Sequence, residues 1–285
     1  MRVKKVLILG ANFENKIGME YGVARAFVQL GFDVITISYR KLNFQDLMRS
    51  LDDINGCDIL LTIKGEKVSP LLISEFNANL KILWFQDDLY WGNNLKLLRS
   101  ISWAYDIVFY FDKSLVNQIK EFHPYVYFLP LGVSLEVFQK SFKERIYDVS
   151  FPCSIIGERT DLAYILKGYN GVIGWTNDYV NVLNSSKLIV NWPVTSASKG
   201  TQQRVFEAGA CGCLVITKDM PDKYKVVKNV VYVKDYNELI WRIFELLNNE
   251  YKMKKIVDRL ETEIVLNHTY VNRVKNMLKI IKEAL

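Results

Sequence analysis

The sequence is poor in the residues from which many active sites are assembled. Among its 285 residues only two are histidine, His123 and His268, and four are cysteine, Cys57, Cys153, Cys211 and Cys213. Two histidines are too few for a histidine-rich metal centre. The cysteines form no C-x-x-C pair and their spacing fits no zinc ribbon, so buried thiols are expected. No apolar run approaches the roughly 18 to 20 residues of a membrane span. The opening MRVKKVLILGANF has only about five consecutive apolar residues where a signal peptide carries 7 to 15. It reads as the first strand of a cytoplasmic protein. The loop after that strand has no G-x-G-x-x-G; its glycines, Gly10 and Gly18, are eight residues apart, which argues against a dinucleotide-dependent dehydrogenase.

Excess charge is scarce too. The net charge of +6 comes from 37 basic and 31 acidic residues, and its distribution is uneven. Residues 1–138 hold 15 of each sign, whereas residues 139–285 hold 22 basic against 16 acidic. An imbalance of that size suits a half that receives a small anion and is too scattered for a long nucleic-acid track. What the chain has in abundance is alternation. Apolar β-type runs (VLIL, VITIS, ILLTI, KILWF, DIVFYF) each precede a helix-like segment, which predicts a parallel sheet covered on both faces. Pro130 and Gly132 interrupt the pattern, and a second series then runs through YDVSFPC, GVIGW, KLIVNW, CLVIT and VVYV. Two α/β units are expected, with a boundary near residues 130–146. A terminal helix is predicted from the helical spacing of Val271, Val274, Met277, Leu278 and Ile281.

Two such units place ligands in the crevice beyond the carboxyl ends of their strands, so chemistry is sought just after strands. After KLIVNW comes SASKGTQQRVFEAGA. Lys199 and Gly200 precede a helix predicted to begin at Thr201, whose free N–H groups and positive dipole end would receive a diphosphate. Arg204 and Glu207 share one face of that helix, and Glu207 lies about 9 Å along the axis from Thr201 at 1.5 Å per residue. That is the reach from a diphosphate to its ribose, whose vicinal diol suits a carboxylate. The competing assignment is an i, i+3 salt bridge on a core helix.

This stretch resembles the signature of GT-B glycosyltransferases, in particular the group similar to the spore-maturation protein CgeB. Arg204, Phe206, Glu207, Ala210, Cys211 and Gly212 carry the likeness, and ILWFQDD, LPLGVSLEVF, YDVSFPCSIIGERTDLAYIL, KLIVNW and HTYVNR stand in the order that family shows. The resemblance implies an α/β GT-B fold: two Rossmann-like domains facing a cleft, over residues 1–138 (acceptor side) and 139–268 (nucleotide-sugar side). A C-terminal helix over 269–285 would cross back to the N-terminal domain. It implies transfer of a sugar from a nucleotide-sugar, expected to be a UDP-sugar, without metal or other cofactor. In related retaining enzymes a second glutamate stands eight residues before the ribose-binding one; here that position is Lys199, which would neutralise donor phosphates and leaves the stereochemistry open.

Further candidates follow other strands. In IIGERTD, Gly157 permits a tight turn and Arg159 opens a helix, where by resemblance it grips the leaving diphosphate; the competing reading is a surface pair with Glu158 or Asp161. Trp175, in GVIGWTND, would flank a nucleobase or sit in the core. Asp87 and Asp88, in WFQDDLYWGN, would act as base for the acceptor hydroxyl, hold the acceptor, or cap a helix. They lack the spacer of the metal-binding D-x-D pairs of other glycosyltransferase folds. Gly10, Asn12 and Gly18 form an expected acceptor-side loop. His123 and His268 are assigned to the fold. The acceptor stays open between a protein side chain, a glycan, a lipid-linked sugar and a modified nucleobase. The opposing class is a GT-B-fold binding or coat-associated protein without turnover; a sugar-nucleotide epimerase would require further acids or histidines.

Overall fold

The computed structural model describes residues 4–284; residues 1–3, at the head of the opening stretch, and residue 285, at the end of the expected terminal helix, lie outside it. The chain divides into two compact units, one formed by the described residues up to Pro130 together with those from Tyr270 onward, the other by Leu131–Thr269.

The first unit contains a six-stranded parallel sheet. Its strands are β1 (Lys5–Gly10), β2 (Asp33–Ser38), β3 (Cys57–Ile63), β4 (Ala78–Phe85), β5 (Ile107–Tyr110) and β6 (Val126–Phe128), in the order β2-β1-β3-β4-β5-β6. Between them run α1 (Met19–Gln29), α2 (Phe44–Ile54), α3 (Pro70–Glu75), α4 (Asn94–Ile101) and α5 (Val116–Lys120). The apolar runs of β1, β3 and β4 are almost wholly buried because helices cover both faces of a parallel sheet.

The second unit contains β7 (Tyr147–Ser150), α6 (Arg159–Leu166), α7 (Tyr179–Ser185), β8 (Ser186–Asn191), α8 (Gln203–Ala210), β9 (Leu214–Lys218), β10 (Val231–Val233), α9 (Tyr236–Leu247) and α10 (Glu250–Asn267). Its sheet is parallel, in the order β10-β9-β8-β7. The expected strand GVIGW is reduced to one bridge, Phe151 to Ile173. Its glycines explain this. Gly171 lies so close to β7 that a Cβ there would stand 1.8 Å from the Val149 carbonyl oxygen, and Gly174 has φ +108°, outside strand geometry. β7 thus has the bridged segment on one side and β8 on the other, so the strand order reverses there. Loops leaving β7 and β8 therefore open at a topological switch point.

The final helix, α11 (Tyr270–Ala284), belongs to the first unit, where it packs on α1. Its buried stripe is Tyr270, Arg273, Val274 and Met277, while Val271, Leu278 and Ile281 are half-buried. Arg273 is 2% exposed, and desolvation brings its pKa down to about 10. No helix among the described residues is long and apolar enough to cross a membrane.

Candidate functional site

The glycine that follows α8 by one residue has a local structural reason. Gly212 takes φ +70°, and two hydrogen bonds close the helix: Gly212 N–H to the Gly209 carbonyl at 3.0 Å and Cys213 N–H to the Ala208 carbonyl at 3.0 Å. This is a Schellman ending, which favours glycine at that position because a left-handed residue there strains any side chain. The chain can then enter β9 directly. Upstream, Val205 to Ala210 are all buried, so only the first turn of α8 remains accessible.

That first turn begins at Gln203, not at Thr201 as the sequence suggested, because Gln202 is extended (φ −76°, ψ 152°) and serves as the N-cap. The Gln202 side chain does not cap the helix; its Oε1 instead accepts a bond from Arg159 Nη2 at 3.2 Å. The first-turn N–H groups consequently have no side-chain cap. Glu207 lies five residues from the N-cap, about 7.5 Å along the axis rather than the 9 Å counted from Thr201.

Arg159 is the first residue of α6 and is 8% exposed. Its Nε donates to the Trp192 carbonyl at 2.8 Å and its Nη1 to the Ser154 carbonyl at 3.3 Å. Neither expected carboxylate pairs with it. Desolvation lowers its pKa, and the neighbouring charge of Arg204 lowers it further. Arg204 Nη1 donates to Asn191 Oδ1 at 3.3 Å, and Arg204 Nε is buried with no partner. Asn191 is itself held by its amide bond to Thr217 Oγ1 at 2.9 Å. Two guanidinium groups thus lie near each other at the switch point, bonded among the described residues only to neutral oxygens.

Glu207 does not form the i, i+3 bridge with Arg204. Its Oε2 accepts the Tyr179 hydroxyl at 2.6 Å and its Oε1 accepts the Gln203 amide at 2.7 Å. It is 5% exposed, and burial pushes its pKa up against the opposing influence of Tyr179, Arg204 and Gln203. Lys199, Gly200 and Thr201 line a pocket with Asn191, Ser196 and Lys218. Within it, Lys199 Nζ donates to the Ser196 carbonyl at 2.6 Å, and the buried Thr201 Oγ1 has no partner. Glu158, one of the partners expected for Arg159, instead accepts the Ser196 N–H at 2.5 Å and the Lys218 ammonium at 2.9 Å. Burial opposes its ionisation, but the bonds from Ser196 and Lys218 outweigh it and hold the carboxyl below its ordinary value. Gly157 makes the preceding turn with φ +58°. Trp175 is 77% exposed, which removes the core assignment.

In the first unit, Asp87 pairs with Lys64 at 2.5 Å. Asp88 caps a turn rather than a helix, its Oδ1 accepting the Tyr90 N–H at 2.9 Å. Gly10 and Gly18 make room for Glu20: added Cβ atoms would stand 2.6 Å and 2.8 Å from that side chain. Asn12 Oδ1 accepts the Glu14 N–H at 3.1 Å, a bond within the loop. His123 Nε2 lies 3.0 Å from the Tyr105 carbonyl, and the His268 ring packs on Phe206 with centroids 5.5 Å apart. All four cysteines are free; three are buried and Cys57 is half-buried.

Sequence reasoning did not find Tyr179, Asn191, Gln202 or Gln203. Tyr179 meets Glu207 across 28 residues of chain, a contact that no spacing rule marks. Gln202 and Gln203 lie inside the motif, but their direction depends on where the helix starts.

Residues 136–279 match the family described as glycosyl transferase-like. Comparison with curated protein sequences yields no match. Among solved structures, Anabaena HepE in complex with UDP-glucose is similar at 12% identity and TM-score 0.60, over 98% of this chain and 100% of that one. An α1,3-fucosyltransferase with GDP is similar at 12% identity and TM-score 0.54, over 98% and 91%. A variant of S. aureus TarM in complex with Fondaparinux, alpha-GlcNAc-glycerol and UDP is similar at 12% identity and TM-score 0.56, over 82% of this chain; the chain spans 57% of TarM.

Proposed function

From the premise that the chain belongs to the glycosyl transferase-like family and has the GT-B fold, we propose that it moves a sugar from a nucleoside-diphosphate sugar to an acceptor hydroxyl. The second unit holds the donor. The observation that carries this reading is the pairing of Arg159 and Arg204 at the switch point, with no carboxylate bonded to either. A diphosphate supplies the negative charge the two guanidiniums lack, and guanidinium forks match phosphate geometry. As the bond to the anomeric carbon breaks, charge grows on the diphosphate. Fixed donors in a partly buried site stabilise that charge more than the ground state.

These groups supply the positive charge that a divalent cation would otherwise provide, so transfer is proposed to be metal-independent. Lys199 adds to it, and the uncapped N–H groups of α8 contribute their dipole end. Glu207 receives the ribose hydroxyls. The relatives' UDP-glucose and UDP support a UDP-sugar as donor. Arg204, Phe206, Glu207, Cys211 and Gly212 support the CgeB-like subgroup. Asp87, paired with Lys64, and Asp88, which holds its turn, are the two candidates of the first unit for the acceptor base. A binding protein without turnover is favoured by two features: a lysine, Lys199, where retaining relatives place an acid, and the lack of an obvious histidine base.

Thermal shift with UDP, GDP, ADP and TDP, each in EDTA and in magnesium, tests the donor site. One nucleotide should stabilise the wild type equally in both conditions, by roughly 2.7 kcal/mol at a hundredfold excess over Kd. Glu207→Ala should lose most of that gain. No stabilisation by any of the four, or stabilisation only with magnesium, contradicts the reading.

A further inference from the structure

Glu207 is a nearly buried acid whose two carboxylate oxygens are each held by a different side chain before any ligand arrives. A cation stands three residues away on the same helix, and i, i+3 neighbours of opposite charge ordinarily attract. Yet the carboxylate is bonded to Tyr179 and Gln203 and not to Arg204, whose charge still acts on it. Tyr179, the first residue of α7, is well placed to hold it. Its ring packs edge-on against the buried Phe138, with centroids 6.1 Å apart. Burial, and then the charge of Glu207, push its pKa well above the ordinary value, so it stays a hydroxyl donor.

We propose that Tyr179 is a positioning residue that, together with Gln203, holds Glu207 away from Arg204 and makes the site selective for an intact ribose diol. This rests on the donor-site reading above. An ionised carboxylate has about four lone-pair positions, two on each oxygen. The Tyr179 hydroxyl takes one on Oε2 and the Gln203 amide takes one on Oε1. One position remains on each oxygen, which matches the two hydroxyls of a vicinal diol. Without Tyr179, the carboxylate is free to rotate onto Arg204, where it would engage the guanidinium needed for phosphate and abandon the ribose. Tyr179 thus divides the work of the helix: Arg204 for the diphosphate, Glu207 for the sugar ring attached to it.

The test measures Kd by calorimetry for UDP and GDP and for their 2′,3′-dideoxy counterparts, with the full chain as wild type, Tyr179→Phe and Gln203→Leu. Tyr179→Phe retains the ring against Phe138, and Gln203 is only half-buried. The wild type should prefer the ribonucleotide roughly ten- to hundredfold, the weight of hydrogen bonds to a charged group. Tyr179→Phe should weaken both forms, because Glu207 then competes with the diphosphate for Arg204, but should weaken the ribonucleotide several-fold more and so close most of that gap, and Gln203→Leu should close part of it. If both variants keep the full gap, or weaken both nucleotides equally, the positioning role is overturned. Equal binding of the two forms by the wild type also overturns it while the diphosphate site stands. Failure of the wild type to bind either nucleoside diphosphate removes the donor-site reading as well.

Discussion

Glu207 is 5% exposed and burial raises its pKa, so ionising it, as the proposed ribose contact requires, costs stability in the folded chain. A carboxyl whose folded pKa lies above its unfolded value contributes stability below the ordinary value of 4.5, and that contribution is lost as pH rises through the folded pKa. Glu207→Gln removes the titration. The variant should therefore melt at or above the wild-type temperature at pH 8, with the difference shrinking toward pH 4, while donor affinity falls at least tenfold, about 1.4 kcal/mol. A melting series across that range, beside donor titration, reads both effects. Arg204→Met should weaken nucleoside diphosphate binding by a factor of roughly ten to a hundred and leave binding of the bare nucleoside unchanged, since charged hydrogen bonds are worth about 1.5–3 kcal/mol. Asp87→Asn should lower turnover without changing donor Kd, which separates acceptor activation from donor binding. The shared helix of Arg204 and Glu207 was legible because a helix imposes fixed spacing within a short motif. Their partners Asn191 and Tyr179 were not, because tertiary folding alone brings β8 and α7 to α8.

At the scale of elements, close packing of α8 explains why its sequence is so small at one position. A Cβ at Gly209 would stand 2.3 Å from Ile264 Cδ1 and 3.1 Å from Leu260 Cγ, both on α10. Gly209→Val should cost about 1–3 kcal/mol by overpacking, seen as a lowered denaturation midpoint, and should shift the first turn of α8, the proposed donor contact, with it. The terminal helix makes a similar demand on the first unit. Deleting the residues after Thr269 uncovers the face of α1 against which α11 packs, so the first unit should lose protection in hydrogen exchange while amides of β8 and β9 keep theirs. Strand and helix alternation was readable because apolar runs fill strands buried on both sides. The start of α8 was misread, since the extended Gln202 and its bond to Arg159 depend on a residue 43 positions away. GVIGW was misread for a local reason: its apolar residues promised a strand that its glycines, one pressed on β7 and one at positive φ, reduce to a bridge.

For the molecule as a whole, the family match, the two parallel sheets and the pair of guanidiniums at a switch point support the proposal that Leu131–Thr269 binds the donor. The sequence placed the excess basic charge in its second half, and that is where Arg159, Lys199 and Arg204 lie. Acceptor identity has no comparable signature, because it is chosen by surface shape and side chains dispersed along the chain rather than by a helix of fixed spacing. Turnover tests the central claim most directly: release of free nucleoside diphosphate from a panel of UDP- and GDP-sugars in EDTA, by wild type and Glu207→Ala, with and without pooled glycan acceptors. The account predicts release from one donor class in the wild type, undiminished by EDTA and reduced at least tenfold in the variant, in step with the lost ribose contacts. Tight donor binding with no release from any sugar nucleotide, with or without acceptor, would contradict it and leave a binding protein built on the same fold.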